Sequence, residues 1–284
     1  MSSLSAEVRD DVGHALIVKP IKTKTGKGKK PLGYELFPQL AASIYISAGT
    51  KSGKTTLISH ILDQCVGSST TVFIFAPTVY IDATYKHIIQ QLDKRNIKHF
   101  EYVHFIDENG NNILSALIDA MIAKSAENAP DERKIKSMRI ENKQVVYEYY
   151  DMKPKVKAEP ELTEPKYFLI FDDLGEEMRN KSIYKWLKMQ RQFFAKTILS
   201  SQAINNLMPN SIGQLDYVCV FGGQREESII KLKNKLDLPN SDEDFLALYR
   251  YATREKYHFL YIDRREVLYR KDFNEPLKVI DEDD

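Results

Sequence analysis

A lysine, two threonines and two adjacent aspartates are the residues of this 284-residue chain best suited to chemistry on phosphate. Lys54 and Thr55 close the stretch Ala48-Gly49-Thr50-Lys51-Ser52-Gly53-Lys54-Thr55, and Thr56 follows them. A glycine, four residues and then Gly-Lys-Ser/Thr build a turn whose successive backbone N–H groups surround phosphate oxygens. The turn opens a helix, whose amino end favours negative charge. Ala48 stands where that pattern has its first glycine. The position needs a small residue because the chain turns sharply off a strand, and alanine is small. Gly49 beside it is expected to supply the φ > 0 conformation that alanine resists. Lys54 is expected to reach the β- and γ-phosphates of a nucleotide, and the Thr55 hydroxyl to bind Mg²⁺. "TGKGKK" at 25–30 also holds Gly-Lys pairs, but no apolar run precedes it and no amphipathic run follows. The stretch at 43–57 has both.

The aspartates close another apolar run, "YFLIFDD" at 167–173. Two adjacent carboxylates at a buried strand end repel unless a cation lies nearby, which is a physical reason to expect a metal. Asp172 is assigned to the Mg²⁺ shell, through water, and Asp173 to orienting or activating the attacking nucleophile. A glutamate reaches one methylene farther, so Glu176 and Glu177 stay open as alternative bases. "KTILSSQ" ends in Ser200, Ser201 and Gln202, and the Gln202 amide suits contact with a γ-phosphate or with water. Thr78 ends "FIFAPT" and is a weaker candidate at the same rim, because ligands gather at the carboxyl ends of parallel strands. The six histidines show no metal-ligand spacing, and no Ser/His/Asp or Cys/His nucleophile set stands out.

These residues need a frame. Apolar runs at 43–49, 71–77, 101–106, 167–173, 197–202 and 217–223 read as strands, separated by helical stripes such as Leu57, Ile58, Ile61, Leu62 and Cys65. Such alternation implies an α/β fold with a mostly parallel central sheet covered by helices on both faces. The strand "TILSSQ" is expected between the cradle strand and the acidic strand, which defines the additional-strand class of P-loop NTPase. "YHFLYID" and "REVLYRKDF", separated by a turn around Arg264, suggest a C-terminal β-hairpin at the sheet edge.

Residues 1–38 read as a basic arm, with Lys19, Lys22, Lys24, Lys27, Lys29 and Lys30 uninterrupted by any acid. Residues 39–280 form the expected ATPase domain. It carries a charged insertion at about 125–165, marked by Pro130, Pro154, Pro160 and Pro165, and an acidic tail follows at 281–284. The formal charge of +1 excludes no partner by itself, since local distribution decides. Cys65 and Cys219 sit among apolar residues and are expected to be buried thiols in a reducing compartment. The first residues lack a basic start followed by an apolar run, and no apolar stretch reaches membrane-spanning length. A soluble, intracellular protein without membrane contact is therefore expected.

"AGTKSGKTT", "FLIFDDL", "KMQRQF…ILSSQ" and "FLYIDRREVLYRKDF", in that order, resemble the FtsK–HerA superfamily, and within it the poxvirus-type and virophage-type DNA-packaging ATPases. The likeness spans about 220 residues, from Ser43 to Phe273. It implies ATP and Mg²⁺ as ligands and double-stranded DNA as partner, with capsid or portal proteins alongside. It further implies a homo-oligomeric ring, a hexamer or pentamer, at work in the virion or the host-cell cytoplasm. An arginine just before the sensor strand serves a neighbouring subunit in that family. Arg191 is the matching position, although Gln192 follows it where relatives often carry histidine, and Arg179 is the alternative. The sequence supports DNA binding only in part, since the lysine arm, "KLKNK" at 231–235 and the Arg264, Arg265, Arg270 and Lys271 group each read more readily as a solvated face than as a DNA contact. Two other readings stay open: a small-molecule P-loop kinase, and a scaffold that binds nucleotide without turnover.

Overall fold

The computed structural model describes residues 29–127, 135–141, 144–149, 162–202 and 204–278. The lysines before residue 29, Pro130, Pro154, Pro160 and the acidic tail lie outside these residues. The chain runs β1 (Ala42–Ser47), α1 (Lys54–Cys65), β2 (Thr71–Phe75), α2 (Ala83–Lys94), β3 (Lys98–Tyr102) and α3 (Ile113–Glu127). A hairpin follows, β4 (Ile135–Glu141) and β5 (Gln144–Tyr149), and then β6 (Tyr167–Asp172), α4 (Lys181–Met189) and β7 (Ala195–Ser201). The last third holds α5 (Pro209–Ile212), β8 (Tyr217–Phe221), α6 (Glu226–Leu236), α7 (Asp242–Ala252), β9 (Phe259–Asp263), β10 (Leu268–Lys271) and β11 (Glu275–Leu277).

Nine strands form one sheet in the order β11-β10-β9-β8-β1-β7-β6-β2-β3. From β8 to β3 every neighbouring pair is parallel, and β9 to β11 pair antiparallel at one edge. β7 lies between the cradle strand β1 and the acidic strand β6, the central place expected of an additional-strand fold. The expected C-terminal hairpin is β9–β10, and β11 adds one more strand outside it. β4 and β5 pair only with each other among the described residues.

The central strands are buried nearly end to end because both faces are covered. All six residues of β1 are buried, and they alternate between two cores. Ile44 and Ile46 face the layer of α1 and α2, which presents Leu57, Ile58, Ile61, Ile88 and Leu92. Tyr45 faces the opposite layer with Trp186, Leu199 and Leu232. Period-two side chains on a doubly covered strand require this division. Asp82 caps α2 by accepting from the N–H groups of Thr84 and Tyr85, at 2.7 and 3.3 Å, which fixes where that helix starts.

Two expectations change. The third strand is Lys98–Tyr102 rather than 101–106. It is the sheet edge, where half-exposed polar residues such as His99 and Glu101 carry the ladder, so a search for apolar runs begins too late. Leu36 and Phe37, within the stretch read as an arm, are buried. The Phe37 ring lies 5.0 Å from Tyr217 and 5.6 Å from Phe273, centroid to centroid. Cys65 and Cys219 are buried free thiols, as expected. Among the described residues no helix is long and apolar enough to cross a membrane.

Candidate nucleotide site

The carboxyl ends of β1, β7 and β6 bring the cradle, the Ser200–Gln202 end and the aspartates to one rim. Register does this: Ser47 pairs with Ser201, and Ser200 pairs with Asp172. The Ala48 N–H donates to the Ser201 carbonyl at 3.2 Å, so the cradle starts while still tied to β7. Ala48 is fully buried, which explains why a small residue stands there. Beyond it the Ser52 hydroxyl donates to the Gly49 carbonyl at 2.7 Å and closes the turn on itself.

The left-handed residues of this turn are Lys51, at φ 61°, and Gly53, at φ 98°. Gly49 is not among them, contrary to expectation. The reversal happens at the foot of the helix, where Gly53 is the residue preceding α1, and not where the chain leaves the strand. The first turn of α1 holds no acidic residue, and no side chain caps it. Its N–H groups and the helix dipole therefore face the turn without an internal anion. Thr55 is half-buried in that first turn, while Thr50, Lys51 and Thr56 are exposed.

Lys54 projects from this turn to both aspartates. Its Nζ lies 2.9 Å from Asp172 Oδ1 and 2.7 Å from Asp173 Oδ2. Burial works to lower the pKa of the ammonium, but the charges and hydrogen bonds of the two carboxylates outweigh it, and the net shift is upward. Lys54 is thus held as a cation. Asp172 is buried, and its carboxylate also accepts from Tyr85 Oη, at 2.7 Å to Oδ2, and from the Ser200 hydroxyl. Asp173 is more exposed and sits at φ 52°, with its N–H donating to the Ser200 carbonyl at 3.0 Å. A left-handed non-glycine residue at such a rim is strained backbone held by its surroundings.

Tyr85 is a site residue that sequence reasoning missed. It belongs to the apolar stripe of α2 and reads as core. A buried tyrosine hydroxyl needs a partner, however, and that requirement was the available signal. Burial first, and the Asp172 charge second, push its hydroxyl well above the ordinary tyrosine range, so Tyr85 remains a donor.

The other candidates separate by position. Gln202 is exposed directly after β7, beside the cradle. Glu177 is turned away: one carboxylate oxygen lies 2.7 Å from His104 Nδ1, and the other accepts the Phe105 N–H at 3.1 Å. Glu176 is exposed, 3.9 Å from Arg179. Only Asp173 of the three possible bases touches Lys54 among the described contacts. Thr78 is exposed in the turn after β2, where its carbonyl accepts from Ile81 and Asp82. Arg179 donates to the Asn205 carbonyl at 2.9 Å. Arg191 precedes β7 at the opposite end of the sheet, with its guanidinium 2.9 Å from Asp216. A strand of this length spans roughly 20 Å, so Arg191 does not belong to the rim of its own chain.

The C-terminal cations have partners within the chain, and Arg265, Lys231 and Lys235 are also exposed. Arg264 donates to the carbonyls of Leu236, Ile212, Gly213 and Leu215. Arg265 pairs with Asp216, Arg270 donates to Phe273, and Lys271 pairs with Glu255. In the 231–235 stretch, Lys233 pairs with Asp242 and Lys235 donates to Asn205.

The donor set fits Mg²⁺. The hydroxyl of Thr55 and the carboxylates of Asp172 and Asp173 are hard oxygens. One ammonium faces two carboxylates, so the cluster carries a net negative charge. Mg²⁺ characteristically takes one or two protein oxygens and completes its shell with water and phosphate.

No protein-family model matches the chain, and no curated protein matches it. Solved structures do. The genome-packaging NTPase B204 of Sulfolobus turreted icosahedral virus 2, in complex with AMP, aligns with a TM-score of 0.51 at 15% identity. That alignment covers 85% of this chain and all of B204. B204 of Sulfolobus turreted icosahedral virus, described as a DNA-packaging ATPase, aligns at 0.49 and 16% identity over 81% of this chain and 96% of its own. ATPases 2 and 3 of EccC from Thermomonospora curvata align at 0.45 and 12% identity, over 80% of this chain but only 35% of that one. At such identities the likeness to B204 shows a shared fold.

Proposed function

We propose that this chain is an ATPase of the FtsK–HerA superfamily that drives double-stranded DNA into a viral capsid. The observation that carries the reading is Lys54, placed by the cradle between Asp172 and Asp173 on a sheet whose sensor strand β7 separates β1 from β6. The shared fold with B204, itself a genome-packaging NTPase, supports it.

In this reading the backbone N–H groups from Gly49 to Thr56 hold the phosphates of ATP, and Lys54 moves from the aspartates to the β- and γ-phosphates. Asp173, released from its ion pair, orients the attacking water, and the Gln202 amide contacts the γ-phosphate. Thr55 and Asp172 hold Mg²⁺, which when bound neutralises charge on the phosphates. Tyr85 and Ser200 keep the Asp172 carboxylate in place. Arg191 leaves Asp216 and stabilises the transferred phosphoryl group on a neighbouring subunit, which requires a ring, a hexamer or pentamer. Arg179, nearer the rim, is the alternative for that role.

The lysines of the 1–38 arm supply nonspecific phosphate contacts to DNA. The ATPase domain at 39–280, with its insertion at 125–165, meets capsid or portal proteins at the virus assembly site. A triplex-displacement assay tests the reading. Release of a third strand from duplex DNA that requires ATP, and is absent in Lys54→Ala, is the expected result. Vigorous hydrolysis with no strand release would refute translocation.

A further inference from the structure

The cradle accounts for the phosphates of a nucleotide and leaves its base without a place. The sheet order supplies a direction. Both aspartates reach the cradle from the β7 and β6 side of β1, and Lys54 points to them. A triphosphate with its γ end at Asp173 therefore sends its nucleoside to the other side of β1, toward β8 and β9.

An open hollow of about 530 Å³ lies there, against the first turns of α1. Its floor is aromatic: Phe221 and Phe259 lie 5.2 Å apart, and Phe259 lies 5.2 Å from Phe273. Thr56 and His60, one helical turn apart on α1, stand on its cradle side. Tyr257 completes it and is unusual in two ways. Its side chain is exposed on the surface, at 59%, and its backbone is left-handed at φ 74°. An exposed aromatic held in a strained conformation is an observation that asks for a function. Its ring also borders the cradle, since a Cβ at Gly53 would meet Tyr257 Cδ1 at 3.4 Å. Lys256 Nζ sits over one ring face, 4.7 Å from the centroid.

We propose that this hollow receives the purine base of the nucleotide whose phosphates enter the cradle, with the base stacked on the ring of Tyr257. The assignment rests on the ATPase reading above. Hollows of a few hundred Å³ with aromatic walls and few polar groups are the usual form of such subsites. Stacking on an aromatic ring needs no particular base edge, so the ring rather than the hydroxyl of Tyr257 makes the contact.

The test is equilibrium binding of two probes, ATP and inorganic tripolyphosphate, to the full chain in Mg²⁺. Tyr257→Ala should weaken ATP binding by about 5- to 100-fold, the range of one lost stacking contact, and leave tripolyphosphate unchanged. Tyr257→Phe should bind ATP as the wild type does. Equal ATP binding by wild type and Tyr257→Ala would overturn the assignment. So would an equal loss of both probes, because the defect would then lie in the cradle. Lys54→Ala separates the two readings: it should lose both probes. If it keeps both, the cradle reading falls, and the base assignment falls with it.

Discussion

Two acidic clusters sit at opposite ends of the same strands, and their charges balance in opposite ways. At the amino end Asp216, only 2% exposed, is oversupplied with donors. It accepts the Ser43 N–H at 2.9 Å and the Ser43 hydroxyl at 3.0 Å, and it faces the guanidiniums of both Arg191 and Arg265. At the carboxyl end Asp172 and Asp173 share one ammonium. The first cluster sets one buried anion against two cations. The second is short of positive charge and has left-handed backbone at Lys51, Gly53 and Asp173. Perturbed charge alone does not separate structure from function. What sets the carboxyl-end cluster apart is its shortage of cation beside a helix start that no side chain caps.

Breaking the carboxyl-end cluster should abolish activity, and breaking the amino-end cluster should cost stability. Lys54→Ala removes the cation that Asp172 and Asp173 share. The largest effect is expected here, loss of ATP binding and turnover, and an unchanged kcat would contradict it. Asp173→Asn should still bind ATP while hydrolysing it about 10²- to 10⁴-fold more slowly. A variant keeping half its activity would move the role to Glu176 or Glu177.

Asp216→Ala should act differently. It strands the buried Ser43 N–H, while the Ser43 hydroxyl keeps the Gln214 carbonyl, at a cost of about 1–3 kcal/mol, read as a lower Tm with ATP binding retained. Lost binding at unchanged Tm would remove the contrast between the clusters. Tyr85→Phe is the smallest change, one hydroxyl. Freed of a donor, Asp172 should hold Mg²⁺ about tenfold more weakly, measured as the Mg²⁺ concentration giving half-maximal hydrolysis. An identical Mg²⁺ dependence would reduce Tyr85 to core packing.

The contrast also explains what the sequence made legible. The cradle and the acidic strand are contiguous patterns, so their residues could be read from spacing and order, while the place of β7 between them was expected from the additional-strand class. Tyr85 and Asp216 could not, because each acts across the fold: Tyr85 reaches Asp172 from 87 positions away, and Ser43 reaches Asp216 from 173. The polar edge strand β3 was misplaced because apolar runs mark central strands and not edges. The basic C-terminal stretch hides its partners in the same way. A run of cations does not reveal that Arg264 donates to carbonyls or that the exposed Arg265 pairs with Asp216.

The most direct measurement is steady-state ATP hydrolysis by the full chain, with and without double-stranded DNA, at about 50 and 200 mM salt. A DNA translocase predicts turnover that DNA stimulates, with the stimulation fading as salt displaces phosphate contacts. Turnover indifferent to DNA at both salt concentrations would contradict it.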